Sequence, residues 1–148
     1  MLNDEIRIRD ALTEDIHVLT DLINQLGYKT TLQEMATRFE QINYHPDYKT
    51  LIAESSGRLE GMLGMTKSIS YEVNETVVRI LVLVVDQNLR KKGIASLLIS
   101  HAEAWARENG APALLLNCGN REERKAAHLF YPKIGFELKS SGYRKNIS

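Results

Sequence analysis

The stretch that most constrains this chain is Val77 to Val85, which reads Val-Val-Arg-Ile-Leu-Val-Leu-Val-Val. A strand covered on one face alternates polar and apolar residues. A nearly unbroken, β-branched run instead suits a central strand buried on both faces. Its longest apolar part, Ile80 to Val85, is far too short to cross a bilayer, which takes roughly 20 residues. A polar loop, Asp86 to Lys92, follows it. Gly93 then opens a helix with Ile94, Leu97, Leu98, Ala102 and Trp105 on one face, ending at Asn109 and Gly110.

The remaining segments fall around that unit. Ile6 and Ile8 alternate with Arg7 and Arg9 as a first strand. Leu12, Ile16, Leu19, Ile23 and Leu26 recur at helical spacing about a start at Thr13, and Gly27 closes the helix. Thr31 and Glu34 form a capping-box pattern ahead of Leu32, Met35, Phe39 and Ile42, a second amphipathic helix. Tyr48 to Glu54 reads as a strand, Ser55 to Gly57 as a turn, and Arg58 to Tyr71 as a longer, glycine-interrupted strand. Asn74 and Glu75 turn the chain into Val77. Ala113 to Leu116 reads as another buried strand, and Arg121 to Tyr131 as a short helix stopped by Pro132. Ile134 to Leu138 and Gly142 to Lys145 are candidate closing strands. This order gives an α/β domain with a mixed sheet.

Length and composition narrow the function. The 148 residues suit one domain, 1–148. Nineteen Lys plus Arg balance nineteen Asp plus Glu, so the basic footprint of a nucleic-acid binder is absent and no nucleic-acid partner is expected. Cys118 is the only cysteine, which excludes an intrachain disulfide and a cysteine-based zinc cage, and no metal site is expected. The polar, charged start from Met1 to Asp10 lacks the apolar core of a signal peptide. A cytoplasmic protein with no membrane partner is the expectation.

The chemistry concentrates at Ile80 to Ala95. A helix N-terminus presents unpaired N–H groups and partial positive charge. Gly93 has no Cβ, so a phosphate can approach the backbone, and Arg90, Lys91 and Lys92 add three full charges. Together they make a diphosphate site that needs no metal. The plainer alternative is a solvated basic loop before an ordinary helix. No G-x-x-x-x-G-K-(S/T) run exists, and Gly57, Gly61 and Gly64 do not form G-x-G-x-x-G between a strand and a helix.

Arg90-Lys91-Lys92-Gly93-Ile94-Ala95 resembles the (Q/R)-x-x-G-x-(G/A) diphosphate loop of the GNAT acetyltransferase superfamily. Downstream, Ala127-His-Leu-Phe-Tyr-Pro-Lys-Ile-Gly-Phe136 is similar to that family's A-x-x-(F/L)-Y-x-x-x-G-F ending. The element order agrees, so the resemblance covers nearly the whole chain. Arg124-x-x-Ala127-His128-x-Phe130-Tyr131 is also similar to a signature of small members, among them aminoalkylphosphonate N-acetyltransferases.

The resemblance implies a mixed, mostly antiparallel sheet of roughly six to seven strands flanked by roughly four helices. It implies acetyl-CoA as cosubstrate and direct transfer to the primary amine of a small molecule in a ternary complex. Leu83, Val84 and Val85 would offer backbone groups to the pantetheine arm, one N–H polarising the thioester carbonyl. Arg90, Lys91, Lys92, Gly93, Ile94 and Ala95 would hold the diphosphate, with Arg124 also on the cofactor. Tyr131 would be the general acid for the departing thiolate; its alternative is a packed aromatic at a helix end. Tyr28, Phe39, Tyr44 and His45 are the acceptor-pocket candidates, where aromatic faces can hold a cationic amine. For Phe39 and Tyr44 the alternatives are helix-face core and loop anchoring. Phe130 and Trp105 are expected in the core, and His128 and Cys118 as structural.

The general base departs from the family pattern. An amine with a free pKa near ~10.4 must lose a proton, and many members carry a Glu on the fourth strand for this. Val78-Arg79-Ile80-Leu81-Val82 has no carboxylate. Glu72, Glu75, His45 and a water chain stay open. Two other functions stay open as well: a non-catalytic acyl-CoA sensor on the same fold, and a protein or peptide N-acetyltransferase. A homodimer is a further expectation.

Overall fold

A computed structural model describes residues 5–89, 93–117, 124–139 and 142–147. The backbone divides into two compact units, Met1–Leu115 and Leu116–Ser148.

The first unit holds the sheet except for its last residue, Leu116. Its strands β1 (Arg7–Asp10), β2 (Tyr48–Ser55), β3 (Arg58–Ser68), β4 (Val77–Val85) and β5 (Leu114–Leu116) lie in the order β1-β2-β3-β4-β5. The β1–β2, β2–β3 and β3–β4 pairs are antiparallel. Three helices belong to this unit: α1 (Ile16–Leu26), α2 (Leu32–Tyr44) and α3 (Ile94–Glu108). The second unit holds α4 (Lys125–Lys133).

Alternation along β3 assigns the helices to faces. Met62 joins a buried cluster with Leu19 and Leu22 of α1, Met35 and Phe39 of α2, and Ile52 and Val84 of the sheet. The neighbouring Gly61 α-carbon faces Ile94 and Leu98 of α3. Successive strand residues point to opposite faces, so α1 and α2 cover one side and α3 the other. Leu98 and Ala102 of α3 are fully buried.

Local signals set the helix ends. Thr31 Oγ1 accepts from Glu34 N at 3.1 Å, and Glu34 Oε1 accepts from Thr31 N at 2.9 Å, the reciprocal pair the sequence implies. These contacts hold the Glu34 carboxyl below its usual range. Gly27 closes α1 with its N–H on the Asn24 carbonyl, while Tyr28 N–H reaches Ile23 O.

An ion-pair cluster ties β1 to the turn before α1. Arg9 grips Asp15 through Nη1 at 2.9 Å and Nη2 at 3.0 Å, and its Nε donates to Glu54 of β2 at 3.1 Å. Asp15 also accepts from Leu12 N at 2.7 Å. The guanidinium hydrogen bonds, opposed by burial, hold Asp15 below its ordinary range, and the two carboxylates raise Arg9.

Several expectations need correction. The described sheet has five strands rather than six or seven. The described residues of 134–138 and 142–145 form no strand. Ile134 N and Gly135 N instead bond back to the end of α4. Leu138 and Tyr143 are exposed, so alternation there meets neither a covering face nor a ladder. Pro132 lies inside the last turn of α4 rather than stopping it. The N–H groups after it turn to i−3 carbonyls, which a chain end tolerates.

β3 ends at Ser68, three residues short of Tyr71, because its pairing with β4 ends at Val77. β4 is not buried on both faces. Leu81 is 51% exposed, since it is the extra residue of a bulge: Gly64 pairs with Val82 and Met65 with Ile80. β5 is a half-covered strand with Leu115 exposed. Trp105 is half-buried, with Lys67 Nζ 5.9 Å from its ring centroid, and Phe130 is half-buried too. Among the described residues, no helix is long and apolar enough to cross a membrane.

Candidate active site

The core strand hands the chain to a tightly held turn. Asp86 N donates to the carbonyl of Glu60 at 2.8 Å, and Glu60 is itself the extra residue of a second bulge, on β3. Asp86 Oδ1 then accepts from Asn88 N at 2.9 Å, and its carbonyl accepts from Leu89 N at 2.8 Å. Leu89 is buried and pins the far side of this short 3-10 turn, Gln87–Leu89. Gln87 N donates to Gln25 Oε1 of α1 at 2.9 Å.

Arg90, Lys91 and Lys92 lie outside the described residues. Gly93 follows as the N-cap of α3, with φ +80° and ψ 8°, a left-handed conformation that costs other residues about 1–2 kcal/mol. Among the described residues, a Cβ built on Gly93 would meet nothing within 4 Å. The first intrahelical bond runs from Leu97 N to Gly93 O at 3.1 Å. The N–H groups of Ile94, Ala95 and Ser96 therefore have no acceptor within the helix. Among the described residues no side chain caps this end, and its first turn carries no acid. Between Gln87 and Ala95 the sequence has three cations and no carboxylate. An open cradle of donors, a helix dipole and a local positive charge fit an anionic diphosphate.

Leu83, Val84 and Val85 lead into that cradle along β4. Val84 turns its side chain into the α1/α2 cluster, and Leu83 and Val85 are half-buried. On the other side of β4, β5 can pair with at most three of its nine residues.

Tyr131 is placed within the C-terminal unit, near the end of α4. Gly135 takes φ +100°, Phe136 N donates to Tyr131 O at 3.1 Å, and Gly135 N donates to Pro132 O at 3.2 Å. This pair of bonds is a Schellman motif, which commonly brings two apolar side chains together. Here they are Tyr131 and Phe136, with ring centroids 5.6 Å apart, and the Phe130 ring also lies 5.6 Å from that of Tyr131. Arg124 is the N-cap residue of α4, and His128 is half-buried in it.

The acceptor candidates do not converge. Phe39 is 3% exposed within the core cluster and presents no face to a pocket. Tyr28 is 60% exposed just beyond α1, next to the start of α2, whereas Tyr44 ends α2 at 88% exposed. The thirteen residues of α2 put about 20 Å between those ends. His45 sits beside Tyr44. Its Nδ1 accepts from Asp47 N at 3.1 Å, and its ring meets Tyr48 edge-on at 4.9 Å. Glu72 and Glu75 lie in the exposed loop before Val77. They are at the opposite end of β4 from Gly93, about 27 Å along the strand. A shallow depression of about 570 Å³ over Thr31, Glu34, Thr37 and Arg38 on α2 includes none of these candidates.

Two residues that hold this site escaped the sequence reading. Glu60 acts through its carbonyl, which any residue supplies. Gln25 acts across 62 positions. Neither leaves a local signature.

Comparison with known proteins bears on the same loop and fold. No curated protein matches the chain in sequence. A GNAT family acetyltransferase from Staphylococcus aureus superposes with a TM-score of 0.81 at 28% identity, covering 96% of this chain and 98% of that one. Aminoglycoside N-acetyltransferase AAC(6')-Iy, solved in complex with CoA, gives 0.84 at 19% identity over 99% and 98%. A structure described as a transcriptional regulator from Bacillus halodurans gives 0.84 at 18% over 97% and 100%. These last two share the fold at an identity that carries nothing finer. The sequence model of the acetyltransferase (GNAT) family matches residues 16–136, from the first residue of α1 to Phe136. That match takes in the cradle and the Tyr131 helix end alike, and this chain belongs to the GNAT acetyltransferase family.

Proposed function

We propose that residues 1–148 form one acyl-CoA N-acyltransferase domain that moves an acetyl group from acetyl-CoA to the primary amine of a small molecule, by direct attack in a ternary complex. The observation that carries this reading is the uncapped N-terminus of α3 behind Gly93, held open at φ +80° and preceded by three cations. The family match supports a single domain, since it runs through both compact units. The aminoglycoside N-acetyltransferase among the similar structures supports a small-molecule amine.

Acetyl-CoA supplies an activated acyl thioester. Ile94, Ala95 and Ser96 would hold its diphosphate through backbone N–H groups, with Arg90, Lys91 and Lys92 neutralising charge and Arg124 adding a further contact. Leu83, Val84 and Val85 would bind the pantetheine amides as an added strand does. An N–H among them would polarise the thioester carbonyl, worth several kcal/mol when donors are preorganised. Tyr131 Oη would donate its proton to the departing sulfur. The amine's own proton leaves through water or through a residue outside β4, because β4 carries no carboxylate. Tyr28, at the α1 end of α2, is the acceptor candidate on the side of Gln87.

A binding-only role on the same fold draws support from that missing carboxylate. Thiol release across aminoglycosides, polyamines, aminoalkylphosphonates, amino acids and short peptides separates the two, with calorimetric titration of acetyl-CoA alongside. Release with one amine class establishes the enzyme and its substrate type. Tight binding with no release favours the sensor, and no binding at all overturns the cofactor assignment.

A further inference from the structure

We propose that Gln25 is a positioning residue for the diphosphate loop, with Asp21 setting its orientation. The inference rests on the cofactor reading above and adds to it a residue from outside the loop.

Gln25 lies in the last turn of α1 and spans two contacts. Its Nε2 donates to Asp21 Oδ2 at 2.9 Å, one helical turn back. Its Oε1 accepts from Gln87 N at 2.9 Å. A carboxylate only accepts, so Asp21 draws the NH2 end of the amide and leaves the oxygen facing Gln87. Gln87 begins the 3-10 turn that runs into the cationic residues and Gly93. The other bonds holding this turn come from β3 and from the turn itself: Asp86 N to Glu60 O, and Leu89 N to Asp86 O. Gln25 fixes the turn against α1.

The same helical turn anchors a second loop. Asn24 Nδ2 donates to Thr30 O at 3.0 Å, and its Oδ1 accepts from Thr30 N at 2.9 Å. Adjacent residues of α1 thus hold the α1–α2 turn, which carries Tyr28, and the turn leading to the cradle. Anchoring costs entropy when the protein folds instead of when the ligand binds, which is how preorganisation raises affinity.

The experiment compares wild type with Gln25→Met and Gln25→Glu. Met matches the side chain's length without an acceptor, whereas Glu keeps an acceptor for Gln87 N–H. Amide exchange at Gln87 and calorimetric titration with CoA are the readouts, with thermal melting as the fold control. The expected result is faster exchange at Gln87 in Gln25→Met and a CoA Kd raised about three- to tenfold, the weight of one net hydrogen bond. Gln25→Glu should slow exchange at Gln87 only in part, because its carboxylate is repelled by Asp21, and its added negative charge should weaken CoA further, while kcat at saturating acetyl-CoA stays near wild type in Gln25→Met. Unchanged exchange in Gln25→Met would show that the contact does not hold the turn. Faster exchange with unchanged Kd would show that the turn's order does not matter to the ligand. Absence of CoA binding in wild type removes the cofactor reading itself, and this inference with it.

Discussion

Gly93 offers the sharpest test of the cofactor site, because charge and backbone strain can be separated there. Any L side chain at φ +80° costs about 1–2 kcal/mol, so both Gly93→Ala and Gly93→Glu should lower stability equally. For a chain of 148 residues that is a fall in Tm of about 2–8 °C. Among the described residues a Cβ at Gly93 meets nothing within 4 Å, so neither variant's Cβ collides with them. Only Glu adds negative charge. At about 6 Å from a phosphate, with an effective dielectric of about 20, the repulsion is about 3 kcal/mol. Screening at physiological salt roughly halves it. Two phosphates then weaken CoA binding by about a hundredfold in Gly93→Glu, against a few-fold in Gly93→Ala. Calorimetry on both variants reads the difference, and high salt should narrow it. Equal losses in the two would mean that strain alone explains the effect. Wild-type affinity in Gly93→Glu would remove the anion site.

Three further outcomes follow from the structure. Asp15→Ala breaks a largely buried bidentate pair and should cost about 2–3 kcal/mol in urea unfolding at pH 7. Arg9 depresses the folded pKa of Asp15, so this contribution is present above the unfolded value of about 3.9 and lost as pH falls through the folded one. The variant should therefore lose less stability than wild type between pH 5 and pH 2, and parallel curves would refute the linkage. Thr31→Ala removes one half of the capping box and should cost about 1 kcal/mol, with Thr31→Ser near wild type. Tyr131→Phe should lower turnover about ten- to a hundredfold without weakening CoA binding. Full turnover in that variant would assign the proton elsewhere.

What could be read from the sequence was local, and what could not depended on distant partners. The Thr31–Glu34 box, the Gly27 stop and the span of β4 are each written within a few residues, and the chain adopts them as read. The bulge at Leu81 is not, because its cause is a shift in register against Gly64 and Met65 on another strand. Nothing in Val-Arg-Ile-Leu-Val marks the third apolar residue as the one that leaves the ladder. Phe39 shows the same limit from the other side. Helical spacing put it on an inward face, but only the packing of α2 against Leu19, Leu22 and Met62 decides between core and pocket. Pro132 failed as a stop signal because its penalty falls on the turn before it and not on the residue after it, so Lys133 still takes helical backbone before the left-handed step at Gly135 closes α4. At the site, the cradle at Gly93 was visible because one residue carries its conformation. The acceptor side was not, because its candidates lie at both ends of a helix about 20 Å long.

The A-x-x-(F/L)-Y-x-x-x-G-F ending has a physical content that a motif match does not express. Tyr131, Gly135 and Phe136 stand four and five residues apart, the spacing at which a Schellman motif joins the third-last helical residue to the two residues after the cap. Gly135 supplies the left-handed step, Phe136 N–H takes the Tyr131 carbonyl, and the two rings meet edge to face. The position of the Tyr131 ring thus follows from backbone bonds and from aromatic packing on Phe130 and Phe136. The ring contacts do not need the hydroxyl. A phenyl ring at position 131 keeps the helix end and both aromatic contacts, so the Phe variant removes the phenolic proton while leaving these in place. A fall in turnover there with unchanged CoA affinity is the outcome that proton donation requires.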